Sequence, residues 1–276
     1  MKKSSKAGNA LVFVILTLGA LYTLFPLGMA LMNSFKTNGQ LLLNPMSLPT
    51  SYTLDNYLRT WEKMHYLRSL GNTVVLAGAG VGLIVLFSSL AGWKLNRTKT
   101  RLSSVLLSLF VFSMLIPFSS IMIPLYRVVL VLKIKNSLLG LALVYAGMGV
   151  SMAIFLYHGF VGSIPLELEE AAAIDGCSSL QTFFWVLLPL LKPITATIVI
   201  TNVLWIWNDF LLPLIIISRN QSYTLLLSTN TLFGQYSSDW TAILSALILA
   251  AIPVIAFYAL FQKNILKGIA DGALKG

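Results

Sequence analysis

Six long stretches of this chain carry almost no charge, and that property narrows its possible folds more than any other. No Asp, Glu, Lys or Arg occurs in 7–35, 69–93, 102–126, 136–166 or 240–262, and 193–218 holds one acid, Asp209. Each stretch exceeds the roughly 20 residues that an α-helix needs to cross about 30 Å of hydrocarbon. Backbone groups in lipid must bond within their own segment, so such spans are helices unless the chain closes a barrel. Barrel strands would be about 10 residues long with alternating polarity, and the sequence shows no such alternation. The expectation is an all-α, polytopic membrane protein. Its six transmembrane helices lie near 10–33, 70–93, 103–126, 138–160, 194–217 and 241–262, in one domain over 1–276.

Composition agrees. Hydrophobic residues make up 57% of 276 positions and charged residues 10%, against roughly 45–50% and about 25% in soluble domains. The net charge of +10 could point to nucleic acid. The cations, however, cluster at the edges of apolar spans with no continuous basic stripe, which excludes nucleic acid as a partner and fits membrane orientation. Lys2, Lys3 and Lys6 resemble the basic start of a signal peptide, but the apolar run from Ala10 to Met32 is too long for one. A retained helix is the expectation.

With the N-terminus inside, 11 of the 19 basic residues fall in the cytoplasm and eight outside. The short loop from Lys94 to Arg101 has four cations and no acid, and it weighs most because short loops carry the positive-inside rule. Arg127, Lys133 and Lys135 fall on the other side. Both termini are then cytoplasmic, as is the loop from Ser163 to Lys192.

That loop has the residues of a helical elbow over 163–191. Ser163 and Pro165 suit a helix start, and Glu167, Glu169 and Glu170 complement the dipole of its first turn. Gly176 supplies a stop, since glycine takes a left-handed position at little cost. Ser178 and Gln181 have capping-box spacing for a second helix. The second arm, Leu180 to Leu191, is aromatic and aliphatic, is broken by Pro189, and should pack on the spans. Alanines on the first arm permit close approach by a partner in the water.

The sequence here resembles the smaller permease of the maltose-type carbohydrate importers driven by an ATP-binding cassette. The densest match runs from Ser163-Ile164-Pro165 through Glu169-Glu170-Ala171-Ala172 to Ile174-Asp175-Gly176 and Leu188-Pro189. It is joined by Ser34-Phe35-Lys36-Thr37, Asn72, Ile123-Pro124-Leu125-Tyr126-Arg127, Trp207-Asn208-Asp209-Phe210, Gly234-Gln235-Tyr236 and Lys267-Gly268. Cys177 stands where the family usually has a small residue. The resemblance implies a type I importer permease in a prokaryotic cell membrane. A second homologous permease, two ATPase subunits, an extracytoplasmic solute-binding protein and a sugar would be its partners. Glu169, Glu170, Ala171, Ala172, Ile174, Asp175 and Gly176 would couple it to the ATPase. ATP and magnesium would reside on that ATPase, with no cofactor on this chain, which has no GxxxxGK[ST] motif.

Two readings of Asp209, with Trp205, Trp207 and Asn208 beside it, stand side by side. A charge at mid-bilayer costs on the order of 2.5–3.5 kcal/mol and must find a partner or a wet cavity. It either ties span five to a neighbouring helix, the commoner use of such residues, or belongs to the solute path. The outer loop from Ser218 to Trp240, with Asn230, Gly234, Gln235 and Tyr236, is either a probe reaching toward the binding protein or an ordinary connector. Gly78, Gly80 and Gly82 are expected to let helices approach closely. His65 and His158 lack ligand spacing with the acids or Cys177, so no metal site is expected. No nucleophile–base set or HExxH motif points to an enzyme. A secondary transporter is the rival class, but it would usually carry several intramembrane ionisable groups and two related halves.

Overall fold

The computed structural model describes residues 6–234 and 239–273, with side chains described for 8–234 and 239–262. All regular structure among these residues is helical. Four helices are individually long and apolar enough to cross a membrane, and two bent helix pairs bring the number of spans to six. Internal contacts divide the chain into two compact units, Met1–Tyr66 with Ser228–Pro253 and Leu67–Leu227 with Val254–Gly276.

The first unit begins with α1 (Lys6–Ser34), whose apolar window is 0% buried. After it come α2 (Asn38–Leu43) and α3 (Asp55–Lys63). The start of α14 (Trp240–Ala273) also belongs here, through residue 253. A buried polar knot holds these pieces together. Asn56 Nδ2 donates to the Ser34 and Lys36 carbonyls at 2.8 and 2.7 Å, Thr60 Oγ1 donates to Ala242 O at 3.2 Å, and Tyr66 Oη donates to Leu249 O at 3.1 Å. Lys36 is fully buried, and its ammonium donates to the carbonyls of Asn44 and Pro45 at 3.0 and 3.3 Å. Those bonds offset part of the cost of removing a charge from water. At the foot of α14, Asp239 accepts from Thr241 Oγ1 and Ala242 N and pairs with Arg59 at 3.4 Å. Burial pushes its carboxyl up, but the two hydrogen bonds and the charges of Arg59 and Lys63 hold it below the usual value.

The second unit contains α4 (Tyr66–Arg97, from residue 67), α5 (Arg101–Ser113), α6 (Phe118–Val131) and α7 (Leu138–Val161). It continues through α8 (Glu167–Ile174), α9 (Ser179–Gln181), a wide π turn (Thr182–Leu187) and α10 (Leu188–Leu190). Then follow α11 (Lys192–Asn208), α12 (Leu211–Ile216) and α13 (Leu225–Ser228). Tyr145, Tyr157, Phe183, Leu187, Leu191 and Ile198 are fully buried at its centre.

Spans three and five are not the continuous helices expected over 103–126 and 194–217. Span three is α5 and α6, bent by 106° across a four-residue break. Pro117 there is extended (φ −67°, ψ 139°), and a proline disfavours helical backbone in the residue before it. Span five breaks at Asp209, whose backbone is extended, before α12 starts. The elbow's second arm meets α11 at 76°.

Close approach within the chain rests on Gly80 and on glycines that the sequence did not point to. A Cβ on Gly92 would lie 2.7 Å from Tyr157 Cβ and 2.9 Å from His158 N, and one on Gly149 would lie 2.5 Å from Ile84 Cδ1. Gly80 does face Ile206 at 3.1 Å, but a Cβ on Gly78 or Gly82 would meet nothing within 4 Å. Those two lie on the exposed side of α4 and bring no other helix of this chain close.

Candidate functional site

The elbow is built by its caps. Its first arm, α8, begins at Glu167, after Pro165, and so two residues later than the Ser163–Pro165 signal placed it. At its end Gly176 has φ +84°, Gly176 N donates to Ala173 O at 3.1 Å and Cys177 N donates to Ala172 O at 3.0 Å. These two bonds form a Schellman motif, which satisfies carbonyls that the helix leaves open. Ser178 and Gln181 then form a complete capping box, with Gln181 Oε1 accepting from Ser178 N at 2.7 Å. Two caps in three residues fix a sharp reversal.

The seven elbow residues divide by face. Glu169 points back into the protein. It accepts from Trp93 Nε1 at 2.8 Å and from Arg97 Nε at 2.7 Å, and Arg97 also donates to Ile164 O at 2.9 Å. The side chains of Arg97 and Glu169 are only 19% and 11% exposed. Ala172, one helical turn on, is buried as well. Glu170, Ala171, Asp175 and Gly176 are exposed, and Ile174 is 87% exposed. Behind it, Phe183 stacks obliquely on Trp93 at 5.1 Å, and Leu187 and Leu191 are fully buried, so the second arm does pack on the spans.

Asp209 occupies the break in span five. Its Oδ1 accepts from Leu211 N at 2.9 Å and Leu212 N at 3.3 Å, and so caps α12. Its Oδ2 accepts from Tyr145 Oη on α7 at 2.9 Å. The acid therefore stitches the break and ties span five to its neighbour, with both oxygens engaged. Beside it opens a cleft of about 680 Å³ lined by Phe118, Met148, Thr201, Leu204, Trp205, Asn208, Asp209 and Leu211. Trp205, edge-on to Tyr145 at 5.2 Å, presents the aromatic surface there. Trp207 is not among the lining residues. Asn208 is exposed and donates Nδ2 to Leu204 O, one turn back. Trp205 is a neighbour of Asp209 in the sequence reading, whereas Phe118 and Thr201 are not part of it. Thr201 lies one helical turn before Trp205 on α11, and that spacing was the signal for it.

The outer loop is anchored rather than free-running. Asn72 Nδ2 donates to the Gln221 and Tyr223 carbonyls at 2.8 and 2.9 Å, and Leu225 N donates to Thr73 Oγ1 at 2.7 Å. Asn230 and Gly234 are exposed, while Gln235 and Tyr236 lie outside the described residues. No group of three or more His, Cys, Asp or Glu among the described residues is placed to hold a metal.

Residues 84–271 match the family described as "Binding-protein-dependent transport system inner membrane component". The chain is 37% identical over its whole length to the whole of a probable permease protein, AmyC, for starch degradation products in Thermoanaerobacterium thermosulfurigenes. It is 34% identical, again over both full lengths, to MsmG of Streptococcus mutans, a multiple sugar-binding transport system permease protein. Over 83% of both chains it is 33% identical to MelC, a melibiose/raffinose/stachyose import permease of Bacillus subtilis. The fold matches a chain in the crystal structure of a bacterial ABC transporter involved in alginate import. That match has a TM-score of 0.79 at 21% identity and covers 95% of this chain and 99% of that one.

Proposed function

The chain belongs to the family of binding-protein-dependent transport system inner membrane components: it is a multi-pass permease of an ATP-binding-cassette importer, not an enzyme, and we propose that its cargo is an oligosaccharide. The whole-length likeness to permeases named for starch products and multiple sugars supports a carbohydrate. Family membership lends nothing to the rival reading, a transporter driven by an ion gradient.

The carrying observation is the division of the elbow into an anchored root and an open tip. Glu170, Ala171, Ile174 and Asp175 seat in a cleft of the ATPase, and Glu169, Trp93 and Arg97 carry the motion of that tip into α4. When ATP draws two ATPase subunits together, the elbows of this chain and of a second homologous permease approach, and the spans rock to face outward. Hydrolysis and release reverse the motion, as alternating access between two states requires. ATP and magnesium stay on the ATPase, and this chain binds no cofactor of its own. In this reading both termini and the elbow are cytoplasmic. The loop around Asn230, Gly234, Gln235 and Tyr236 faces the solute-binding protein.

The cleft beside Asp209 is this subunit's share of the cargo path. Trp205 and Phe118 offer apolar faces, and Thr201 and Asn208 offer hydrogen bonds. Trp207 and Asp209 act behind it, Asp209 by holding the break open. The test is a carbohydrate panel against the complex reconstituted with its ATPase, second permease and binding protein. At least one oligosaccharide should raise ATP turnover several-fold. A correctly assembled complex that responds to no carbohydrate would overturn the cargo assignment.

A further inference from the structure

At the end of α4 and the start of α5, with His158 from the last turn of α7, lies another cavity, of about 530 Å³, which shares no lining residue with the elbow or with the cleft beside Asp209. It far exceeds the ~30 Å³ share of one water. Thr98, Lys99, Arg101, Ser104, Ser108 and His158 supply its polar lining, and no acid is among the residues that line it. Thr100 Oγ1 donates to Ser103 Oγ at 3.2 Å and Ser104 Oγ donates to Thr100 O at 3.3 Å, which sets the shape of the first turn. Among the described residues, the side chains of Thr98, Lys99, Arg101, Ser108 and His158 make no hydrogen bond or ion pair. The neighbouring cation, Arg97, is by contrast fully occupied by Glu169 and Ile164 O.

The positive-inside rule accounts for cations at the edge of a span. It does not account for two unpaired cations, two unpaired hydroxyls and an imidazole gathered around one cavity. Such a set offers many donors from several directions and no competing carboxylate, which suits an anion with several acceptor oxygens rather than a planar carboxylate. Leu95 and Leu107 add an apolar wall, and the position is the end of two spans, where lipid headgroups lie. We propose that this cavity binds a phosphate group, supplied by an anionic phospholipid of the surrounding leaflet. The site stands independently of the carbohydrate reading and of which ATPase the chain serves.

The test uses the purified full chain in micelles doped with phosphatidylglycerol or phosphatidylcholine, with bound lipid counted by native mass spectrometry. Phosphatidylglycerol should be retained in preference. The double variant Lys99→Gln/Arg101→Gln should weaken its binding about thirty-fold, which is two cations at ~1 kcal/mol each converted at 1.4 kcal/mol per tenfold. Thr98→Val/Ser108→Ala, which leaves every charge in place, should weaken it several-fold. Lys94→Gln removes a cation from the last turn of α4 that does not line the cavity, and should have little effect. A parallel titration with inorganic phosphate separates the sources. If only free phosphate binds, with the same dependence on the variants, the site stands and its ligand is soluble. The proposal fails if neither ligand distinguishes the wild type from both double variants, or if Lys94→Gln weakens binding as much as Lys99→Gln/Arg101→Gln.

Discussion

Removing Glu169 should detach the elbow without unfolding the protein. Its carboxylate accepts from Trp93 and Arg97 at 2.8 and 2.7 Å, and both partners of the ion pair are more than four-fifths buried. Deleting one partner of a fully buried pair costs about 3–5 kcal/mol, because the other charge is left without compensation. Arg97 keeps its bond to Ile164 O and some solvent, so about 2–3 kcal/mol is the better figure for Glu169→Ala. If α8 opens locally, its amides should exchange about 30- to 150-fold faster, at 1.4 kcal/mol per tenfold. The assay is hydrogen–deuterium exchange of the peptide covering 164–178 in lipid nanodiscs, with α7 peptides as an internal reference. Glu170→Ala, on the exposed face, should leave exchange within about twofold. In a cycle with Arg97→Ala, the two single losses should be far from additive, since each removes the same pair. In the assembled importer, Glu169→Ala should let ATP be hydrolysed while uptake falls. Unchanged exchange at 164–178 in Glu169→Ala would refute the idea that this pair roots the elbow.

Four further outcomes follow from the geometry. Gly176→Ala must take φ +84° with a side chain that meets nothing within 4 Å, so its cost is backbone strain alone, about 1–2 kcal/mol, and would appear as faster exchange in the same peptide. Gly92→Ala should lower stability to denaturant by about 1–3 kcal/mol, through overpacking on Tyr157 and His158, while Gly78→Ala and Gly82→Ala should change it by less than about 0.5 kcal/mol. Asp209→Ala should cost about 1–3 kcal/mol by stranding the Tyr145 hydroxyl and the α12 cap, and Tyr145→Phe should cost less, both read from unfolding curves in detergent. The Asp239 carboxyl is held below its ordinary 3.8. Its contribution is therefore fully present above that pH and is lost as pH falls through the lower folded value. Asp239→Asn should remove that acid-range loss from a stability–pH profile.

Charge-free windows were enough to place the spans, because lipid tolerates few ions and the chain has few to spare. They could not reveal that spans three and five are interrupted, since a window of hydropathy carries no record of backbone conformation. Pro117 and Asp209 held that information. Gly176, Ser178 and Gln181 were legible because caps act on residues two or three positions away. The opposite duties of Glu169 and Glu170 follow from the 100° step of a helix, yet which face was inward depended on Trp93 and Arg97, over 70 residues earlier. The same limit explains Trp205 and Trp207: two residues apart on a helix, they face different ways, and only neighbouring helices decide which one lines a cleft. Lys36 shows the limit most plainly, for nothing local marks a lysine that will be wholly enclosed.

The wide turn at Thr182–Leu187 makes orientation of the elbow a matter of residue count. A π turn holds about one residue more than the α turn it replaces, so deleting a single residue there should relax it into ordinary helix. Everything upstream would then swing by about 100° about the arm's axis, like a key cut one notch short. The tip would keep its caps and its isoleucine but present them in a different direction, so a one-residue deletion should disable transport while leaving the elbow's own structure whole.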